Sequence, residues 1–400
     1  MHDVIISGAG PAGAMAAYEC AHLGLDTVLV EKDSIPRKKC CAGGLLERAA
    51  SILPFSLPSS VVEREIRGFS IVIGDYHREF DFDKRVGCVL RREAFDLYLA
   101  QMAEGAGAKV LQHSRIIGLE ELPEKVVLRI SDRELEGRLL IVAEGATGIS
   151  GKSLLGQYPH RTLAMGRAVN IRTRKDPGDR IEIHLIDTPT HRLRIRPDFP
   201  LNGWMFPHKL GANVGVVGKD IGKERLESTL SQIVRSVEER FGPIEEVDDL
   251  RAHPLPFAPR RTLHGSRSML VGDAAGLVNP ITGEGMGYAL ASGRLAAQTA
   301  KEIIVDKRGI GHLASYDSRC AQTIIRDIKA AGFLSPYLHW LVGVVDTRHF
   351  FDNLHDDETL VTTCLRIARG EDDWRGLLAR TIPKFPRLFF SSLGPQKRLR

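Results

Sequence analysis

Two stretches at opposite ends of the chain carry residue types whose spacing suits a phosphate and a sugar. Gly8-Ala9-Gly10-Pro11-Ala12-Gly13 follows the apolar run Asp3 to Ser7 and opens the helix-compatible run Ala14 to Leu23. Gly8 permits a sharp turn, Gly10 lets backbone approach a pyrophosphate without a side chain in the way, and Gly13 lets the helix pack close to the strand. Pro11 and Ala12 sit at the helix start, whose unpaired N–H groups and partial positive charge favour phosphate. Thr27 to Val30 reads as a second strand closed by Glu31. An acid at that place, about 20 residues into the unit, can accept the hydroxyls of an adenosine ribose and repels a 2′-phosphate. Lys32 beside it is a further candidate contact. The plain alternative, a glycine turn with nothing bound, is disfavoured by strand, turn, helix, strand and acid arriving in order.

The second stretch is Gly272-Asp273-Ala274-Ala275-Gly276, trailed by Asn279-Pro280, Gly283, Gly285, Met286 and Gly287. A carboxylate at the end of the core strand Ser268 to Val271 can hold ribityl hydroxyls, and the next helix start can aim backbone amides at an isoalloxazine carbonyl. Nicotinamide has no ribityl chain to hold. Gly272, Asp273, Gly283, Gly285 and Met286 are therefore candidate flavin contacts.

With the N-terminal cradle, this stretch resembles the FAD-binding fold of the para-hydroxybenzoate hydroxylase superfamily. Within that resemblance Arg92, in Arg92-Glu93-Ala94-Phe95-Asp96, matches the family arginine near the flavin phosphates; its bland alternative is a solvated arginine on a first helical turn. Ala143-Glu144-Gly145 occupies the family's Asp-Gly position with Glu in place of Asp. Two further segments narrow the resemblance to geranylgeranyl reductases. Lys38-Lys39-Cys40-Cys41-Ala42-Gly43-Gly44-Leu45 is similar to their Cys-(Gly/Ala)-Gly-Gly loop near the flavin, the match falling on Cys41 with Cys40 as an extra neighbour. Gly203-Trp204-Met205-Phe206-Pro207 is similar to their Tyr-x-Trp-x-Phe-Pro motif, with Asn202 at the tyrosine position and His208 displacing the following lysine to Lys209.

The resemblance implies FAD as cofactor and reduction of isolated double bonds in geranylgeranyl chains, on a prenyl diphosphate or an archaeal-type prenyl ether lipid, by hydride from reduced flavin N5. Cys41 is the candidate catalytic residue; Gly43, Gly44, Trp204, Phe206 and Pro207 are candidate substrate contacts. An unactivated alkene has no carbonyl to stabilise charge, so the site must hold the reacting atoms within roughly 3.5 Å and exclude water. Cys41, the reduced flavin, an ordered water and, more weakly, His208 are the candidate proton donors. Electrons must come from outside, from NADPH, ferredoxin or another reduced carrier, because the chain has no iron–sulfur motif. Ordinary alternatives stand beside each assignment: core packing for the aromatics, an inert buried thiol for Cys41, a polar surface position for His208. Arg192, Arg194 and Arg196 alternate as on one strand face, an ordinary solvated face by default.

The elements that must position these groups give an α/β expectation. It is a Rossmann-like FAD-binding domain of the para-hydroxybenzoate hydroxylase type (1–64, 84–160, 250–305) with a mainly β substrate domain inserted (65–83, 161–249) and a helical C-terminal region (306–400). The patterning predicts helices over Leu45 to Leu53, Arg92 to Ala106, Glu224 to Phe241 and Gly285 to Ile304. It predicts strands over Phe69 to Ile73, Val110 to Ile117, Val126 to Ile130, Leu139 to Ala143, Leu163 to Thr173, Ile181 to Ile186, Gly203 to Phe206 and Ala212 to Val217. Trp340, Leu341, Val344, Phe350 and Phe351 supply apolar surface near the end, before a basic Lys397 to Arg400 tail.

Composition narrows the classes. The 400 residues, 43% hydrophobic, are ample for a large core. The net charge of +5 comes from interspersed acids and bases, with no basic block interleaved with aromatics, so no nucleic-acid partner is expected. A mildly basic surface suits anionic substrates or an anionic membrane face. No apolar run reaches the ~18 residues of a spanning helix, so membrane contact would be peripheral. Six cysteines without CxxC spacing, and an N-terminus that is already a strand, point to the cytosol. No cluster has metal-ligand spacing and no GxSxG elbow is present, so neither a metal nor a serine triad is expected. The competing readings are an FAD-dependent aromatic-ring hydroxylase or halogenase, a quinone-related flavoprotein reductase, and a prenyl-binding chaperone of the GDP-dissociation-inhibitor type.

Overall fold

The structure, a computed structural model, describes residues 1–186, 201–344 and 358–384. In chain order it begins β1 (His2–Ser7), α1 (Pro11–His22), β2 (Thr27–Val30), β3 (Gly44–Leu46), α2 (Glu47–Ala50), β4 (Val62–Ile66), β5 (Gly68–Ile73), β6 (Tyr76–Asp81), β7 (Gly87–Leu90) and α3 (Arg92–Gly105). It continues β8 (Lys109–Leu111), β9 (Ile116–Glu121), β10 (Val126–Ile130), β11 (Glu134–Val142), α4 (Ile149–Leu155), β12 (Leu163–Thr173), β13 (Arg180–Leu185), β14 (Asn202–His208) and β15 (Gly211–Gly218). Then come α5 (Lys223–Phe241), β16 (Ile244–Val247), β17 (Arg251–Pro256), β18 (Ser268–Leu270), α6 (Met286–Ile304), α7 (Ala314–Cys320), α8 (Arg326–Val344), α9 (Glu358–Arg369) and α10 (Trp374–Thr381).

Three sheets organise these elements. A seven-stranded sheet runs β8-β2-β1-β11-β10-β9, with β18 also beside β11. Its parallel centre reads as continuous apolar runs because it is buried on both faces: Val4 to Ile6, Val28 to Leu29 and Leu139 to Val142 have no exposed surface. Helix α1 is small and apolar on most sides, and α6 packs so tightly on it that a Cβ at Gly293 would stand 2.3 Å from the Ala12 carbonyl oxygen. The second sheet has eight strands, β16-β12-β15-β14-β13-β5-β6, with β17 paired to β12. Seven of its strands come from the separated inserts (65–83 and 161–249) that the sequence analysis assigns to substrate binding, and β17 comes from the stretch assigned there to the cofactor domain. One face of it buries Met205, Val214 and Val216 against Leu226, Leu230 and Ile233 of α5. A small third sheet, β3-β7-β4, bridges the other two.

Several boundaries differ from the sequence expectation. The helix expected over Leu45 to Leu53 is one turn, α2, because Leu45 and Leu46 pair with Cys88 and Gly87 of β7. The strand expected over Val110 to Ile117 splits into β8, parallel to β2, and β9, antiparallel to β10. Strand β17 escapes sequence reading because it carries Pro254 and Pro256, which an edge strand tolerates and a central one does not. Arg192, Arg194, Arg196, Phe350, Phe351 and the Lys397 to Arg400 tail lie outside the described residues.

Candidate functional site

The glycine turn between β1 and α1 is open where a phosphate would lie. Gly10 has extended backbone (φ −78°), and no side chain caps the helix that it starts. A Cβ placed on Gly10 would meet only the Arg92 Nη2 atom, at 3.9 Å. A Cβ on Gly13 would instead collide with the Gly8 carbonyl oxygen at 1.9 Å, so that glycine serves packing. Gly8 itself needs φ +97°, in the region that favours glycine.

Glu31 is buried at the end of β2. Its Oε2 accepts from Ala9 N–H at 2.9 Å, its Oε1 accepts from Asp33 N–H at 3.1 Å, and Arg37 Nη2 lies 3.1 Å from Oε2. Oε1 therefore keeps a lone pair for one further donor. Lys32 is half exposed, with Asp33 4.0 Å from its Nζ. Arg92 is no solvated arginine: its side chain is 14% exposed and forks onto the fully buried Asp96 at 2.9 and 3.0 Å. Burial works against the Arg92 charge, but Asp96 and then Cys41 outweigh it and hold its pKa above the ordinary value. Lys39 joins the same cluster, its pKa lowered by burial first and by the neighbouring Arg37 second. Arg37 and Asp96 belong to this buried cluster, and sequence reading passed over both. The Arg92–Asp96 spacing of four on a helix was a usable signal; the reach of Arg37 to Glu31 and Asp96 was not.

The C-terminal stretch meets this turn. A Cβ on Gly272, which has φ +54°, would stand 3.1 Å from the Ala12 Cβ, so residues some 260 apart in the chain are in contact. Gly285 begins α6 with no side-chain cap, and Asp273 Oδ1 lies 3.5 Å from where its Cβ would be. Nothing stands within 4 Å of a Cβ on Gly283. Met286 packs its side chain among Met15, Leu45 and Leu290, leaving its backbone to the site. Glu144 turns elsewhere: its Oε2 accepts from Ser150 N–H of α4 at 3.3 Å.

The free face of the eight-stranded sheet closes over these groups. Strand register places Arg251, His253, Gly166, Ala168, Gly215, Asn213, Trp204 and Phe206 on that one face. Three contacts tie it to the turn and loops. A Cβ on Gly44 would stand 2.6 Å from Phe206 Cε2; Cys40 Sγ donates to the Arg251 carbonyl at 3.5 Å; His253 Nε2 lies 3.7 Å from Asp273 Oδ2. Trp204 lies over Gly215, where a Cβ would reach its ring at 2.1 Å, and its Nε1 donates to Asn213 Oδ1 at 2.8 Å. Asn213 donates to Asn170, Asn170 to Asp248, and Lys38 donates to the other Asp248 oxygen at 3.1 Å. Trp can only donate and Asp only accept, so both amide orientations in this chain are forced. Pro207 is buried, paired in register with Ala212.

Cys41 is half-buried, and its Sγ accepts from Gly43 N–H at 3.4 Å. Gly43 holds φ +82° against the Leu90 carbonyl, which fixes the loop. Cys40 points away toward β17, its pKa pushed up to about 12 by burial. His208 is buried rather than on the surface. Among the described residues no group of three or more His, Cys, Asp or Glu could hold a metal, and no helix is long and apolar enough to cross a membrane.

These residues suit an anionic dinucleotide carrying a polyol. Two uncapped helix starts, a glycine cradle that a Cβ would fill, the buried and unpaired Arg37 Nε, and a partly exposed Asp273 supply the required donors and acceptor. Residues 1–330 match the FAD binding domain family. The chain belongs to that family. FAD is the cofactor of this flavoprotein, a member of an FAD-dependent oxidoreductase family. It is 30% identical to a menaquinone reductase of Mycolicibacterium smegmatis over 83% of this chain and 82% of that one. It is 29% identical to digeranylgeranylglycerophospholipid reductase 1 of Methanopyrus kandleri over 79% and 85%. In structure the flavoprotein is similar to a geranylgeranyl bacteriochlorophyll reductase-like protein of Thermoplasma acidophilum, with TM-score 0.76, 22% identity and 97% of each chain covered.

Proposed function

We propose that this flavoprotein saturates isolated double bonds of an isoprenoid chain, carried either on a quinone or on a geranylgeranyl lipid. The observation that carries the reading is the meeting of three segments at one place: the Cys41 to Gly44 loop, the Trp204 to Pro207 strand, and the turn bearing Gly10 with Arg92. The named activities of the two sequence relatives, one on a quinone and one on an archaeal-type lipid, share only the prenyl chain, which is why that chain is taken as the reacting part.

In this reading Gly8 to Gly13 and Arg92 bind the pyrophosphate, Glu31 the adenosine ribose, Asp273 the ribityl hydroxyls, and the backbone of Gly283 to Met286 the ring. When bound, FAD in its reduced form supplies the hydride. Trp204 and Phe206 exclude water and orient the chain, while Gly43 and Gly44 let the loop come close to a flat ring. Cys41 holds a proton at Sγ beside the reacting carbon. The proposed division of labour assigns the seven-stranded sheet to the cofactor and the eight-stranded one to the substrate.

The test is anaerobic reduction of the purified protein with dithionite, then single turnovers with menaquinone and with geranylgeranyl glycerol lipids. Flavin reoxidation coupled to a gain of two hydrogens per event is expected with at least one of them. Oxygen-dependent turnover of phenols alone would replace the reading with that of a hydroxylase. The Cys41→Ser variant is expected to keep its flavin and to slow single turnover.

A further inference from the structure

The backbone of Asp273 is fixed while its carboxylate is left without a partner. The Tyr158 hydroxyl and the Gly276 N–H both donate to the Asp273 carbonyl at 3.1 Å, and Arg260 lies over the Tyr158 ring at 4.0 Å. The side chain makes no hydrogen bond among the described residues: Oδ1 lies 3.5 Å from where a Gly285 Cβ would stand, and Oδ2 lies 3.7 Å from His253 Nε2. That distance is too long for a hydrogen bond, and neither ring nitrogen of His253 makes one elsewhere among the described residues. Both side chains keep an open side, 32% exposed for His253 and 28% for Asp273.

The two groups come from different sheets. Asp273 follows β18 of the seven-stranded sheet, whereas His253 sits on β17, an edge strand that pairs with β12 alone, with His253 opposite Gly166. Alternation along β17 puts His253 on the face of Arg251 and Leu255, and Leu255 packs against Val217 as Trp204 does. A hydroxyl donates one hydrogen bond and accepts others, so a chain of hydroxyls is the ligand that uses a carboxylate and an imidazole at once. We propose that the ribityl chain of the cofactor is gripped from both sheets, one hydroxyl donating to Asp273 and another accepting from His253. Loading the cofactor then fastens the β17 edge of the eight-stranded sheet to the cofactor half. The inference rests on the reading of Asp273 as the ribityl acceptor and adds to it a contact from the opposite sheet.

The experiment measures binding of FAD and of ADP to the deflavinated, full-length protein. ADP carries the adenosine and the pyrophosphate and has no ribityl chain. His253→Leu is expected to weaken FAD by roughly ten-fold, the worth of one hydrogen bond, and to leave ADP unchanged. His253→Gln, which keeps a side-chain N–H, should recover most of that loss. Hydrogen exchange gives a second readout: saturating FAD, and not ADP, should slow exchange across residues 251–255, and His253→Leu should lose that slowing. His253→Ala serves where His253→Leu does not fold. Unchanged FAD affinity in His253→Leu, equal losses of FAD and ADP, no recovery in His253→Gln, or slowing that persists in His253→Leu overturns the contact from His253 alone. Undiminished FAD binding in Asp273→Ala overturns the ribityl reading of Asp273 together with it.

Discussion

Gly10 and Gly13 stand three residues apart in one turn and are glycine for different reasons. A methyl at Gly13 would drive into the Gly8 carbonyl, whereas one at Gly10 would enter open space 3.9 Å from Arg92. Gly13→Ala is therefore expected to lose about 1–3 kcal/mol of stability from overpacking. Gly10→Ala should unfold within about 0.5 kcal/mol of the parent, as substitutions away from packing do, yet hold flavin more weakly. Urea unfolding and flavin titration of the two variants separate the roles. His208 offers a pH test at the same scale. Burial pushes its pKa down to about 4, Glu63 opposing and Arg91 and Arg64 reinforcing, and neither ring nitrogen has a hydrogen-bond partner. An unfolded chain takes up this proton below about pH 6.5, the folded one only near 4, so stability falls between those values and levels off below them. The loss amounts to about 3 kcal/mol at most. His208→Gln should remove that slope from urea unfolding measured at pH 7 and pH 4.5.

At the scale of elements, the sheet that roofs the site is held from behind by one buried ionic group. Glu182 on β13 accepts from Arg240 of α5 at 2.6 and 2.8 Å, with His184 at 3.2 Å. Burial alone would raise the Glu182 pKa, but Arg240 and His184 outweigh it and bring the pKa to about 2. The carboxylate is thus ionised when folded, and its contribution is full above the unfolded value near 4.5 and lost as pH falls toward 2. Arg240→Met leaves that charge buried without its main partner, at a cost of about 3–5 kcal/mol at pH 7. The cost should shrink at pH 3, where Glu182 in the variant protonates; thermal unfolding at the two pH values checks it. Activity should fall with the sheet's stability, because α5 fixes the strand that carries Trp204 and Phe206.

Across the whole molecule, the C-terminal helices are tied to the cofactor half through Asp327 of α8. Its Oδ2 accepts from Tyr288 at 2.7 Å and from Arg48 at 3.3 Å, and its Oδ1 accepts from Trp374 N–H, at the start of α10, at 2.7 Å. Arg48 also pairs with Glu284, in the loop that leads into α6. One buried cluster therefore joins α2, the Asn279 to Glu284 loop, α8 and α10. Asp327→Ala leaves Arg48 to Glu284 alone, takes the acceptor from Tyr288 and from the Trp374 N–H and frees α10, so the melting temperature should drop by the equivalent of about 1–3 kcal/mol. Limited proteolysis should then cut within 358–384 before it cuts within 1–330. An unchanged cleavage pattern would mean that apolar contacts of Trp374 and Leu377 with Ala331 and Leu334 hold those helices alone.

Much of this was legible in the residues because it depends on local spacing. A strand, a glycine turn and a helix are short-range events, so Gly8 to Gly13 and the Gly272-Asp273 stretch announce themselves, and the central strands read true because burial on both faces leaves unbroken apolar runs. What required the fold was every partnership between distant segments. Spacing cannot say that Gly272 lies against Ala12, that Phe206 covers Gly44, or that His253 reaches Asp273, since those contacts are chosen by sheet register and helix packing over hundreds of residues. Arg37 and Asp96 are the sharpest case: as sequence they are an ordinary cation in a loop and an ordinary acid on a helix. Only folding removes water from around them, and a buried charge must then find a partner, which is what turns them into part of the site.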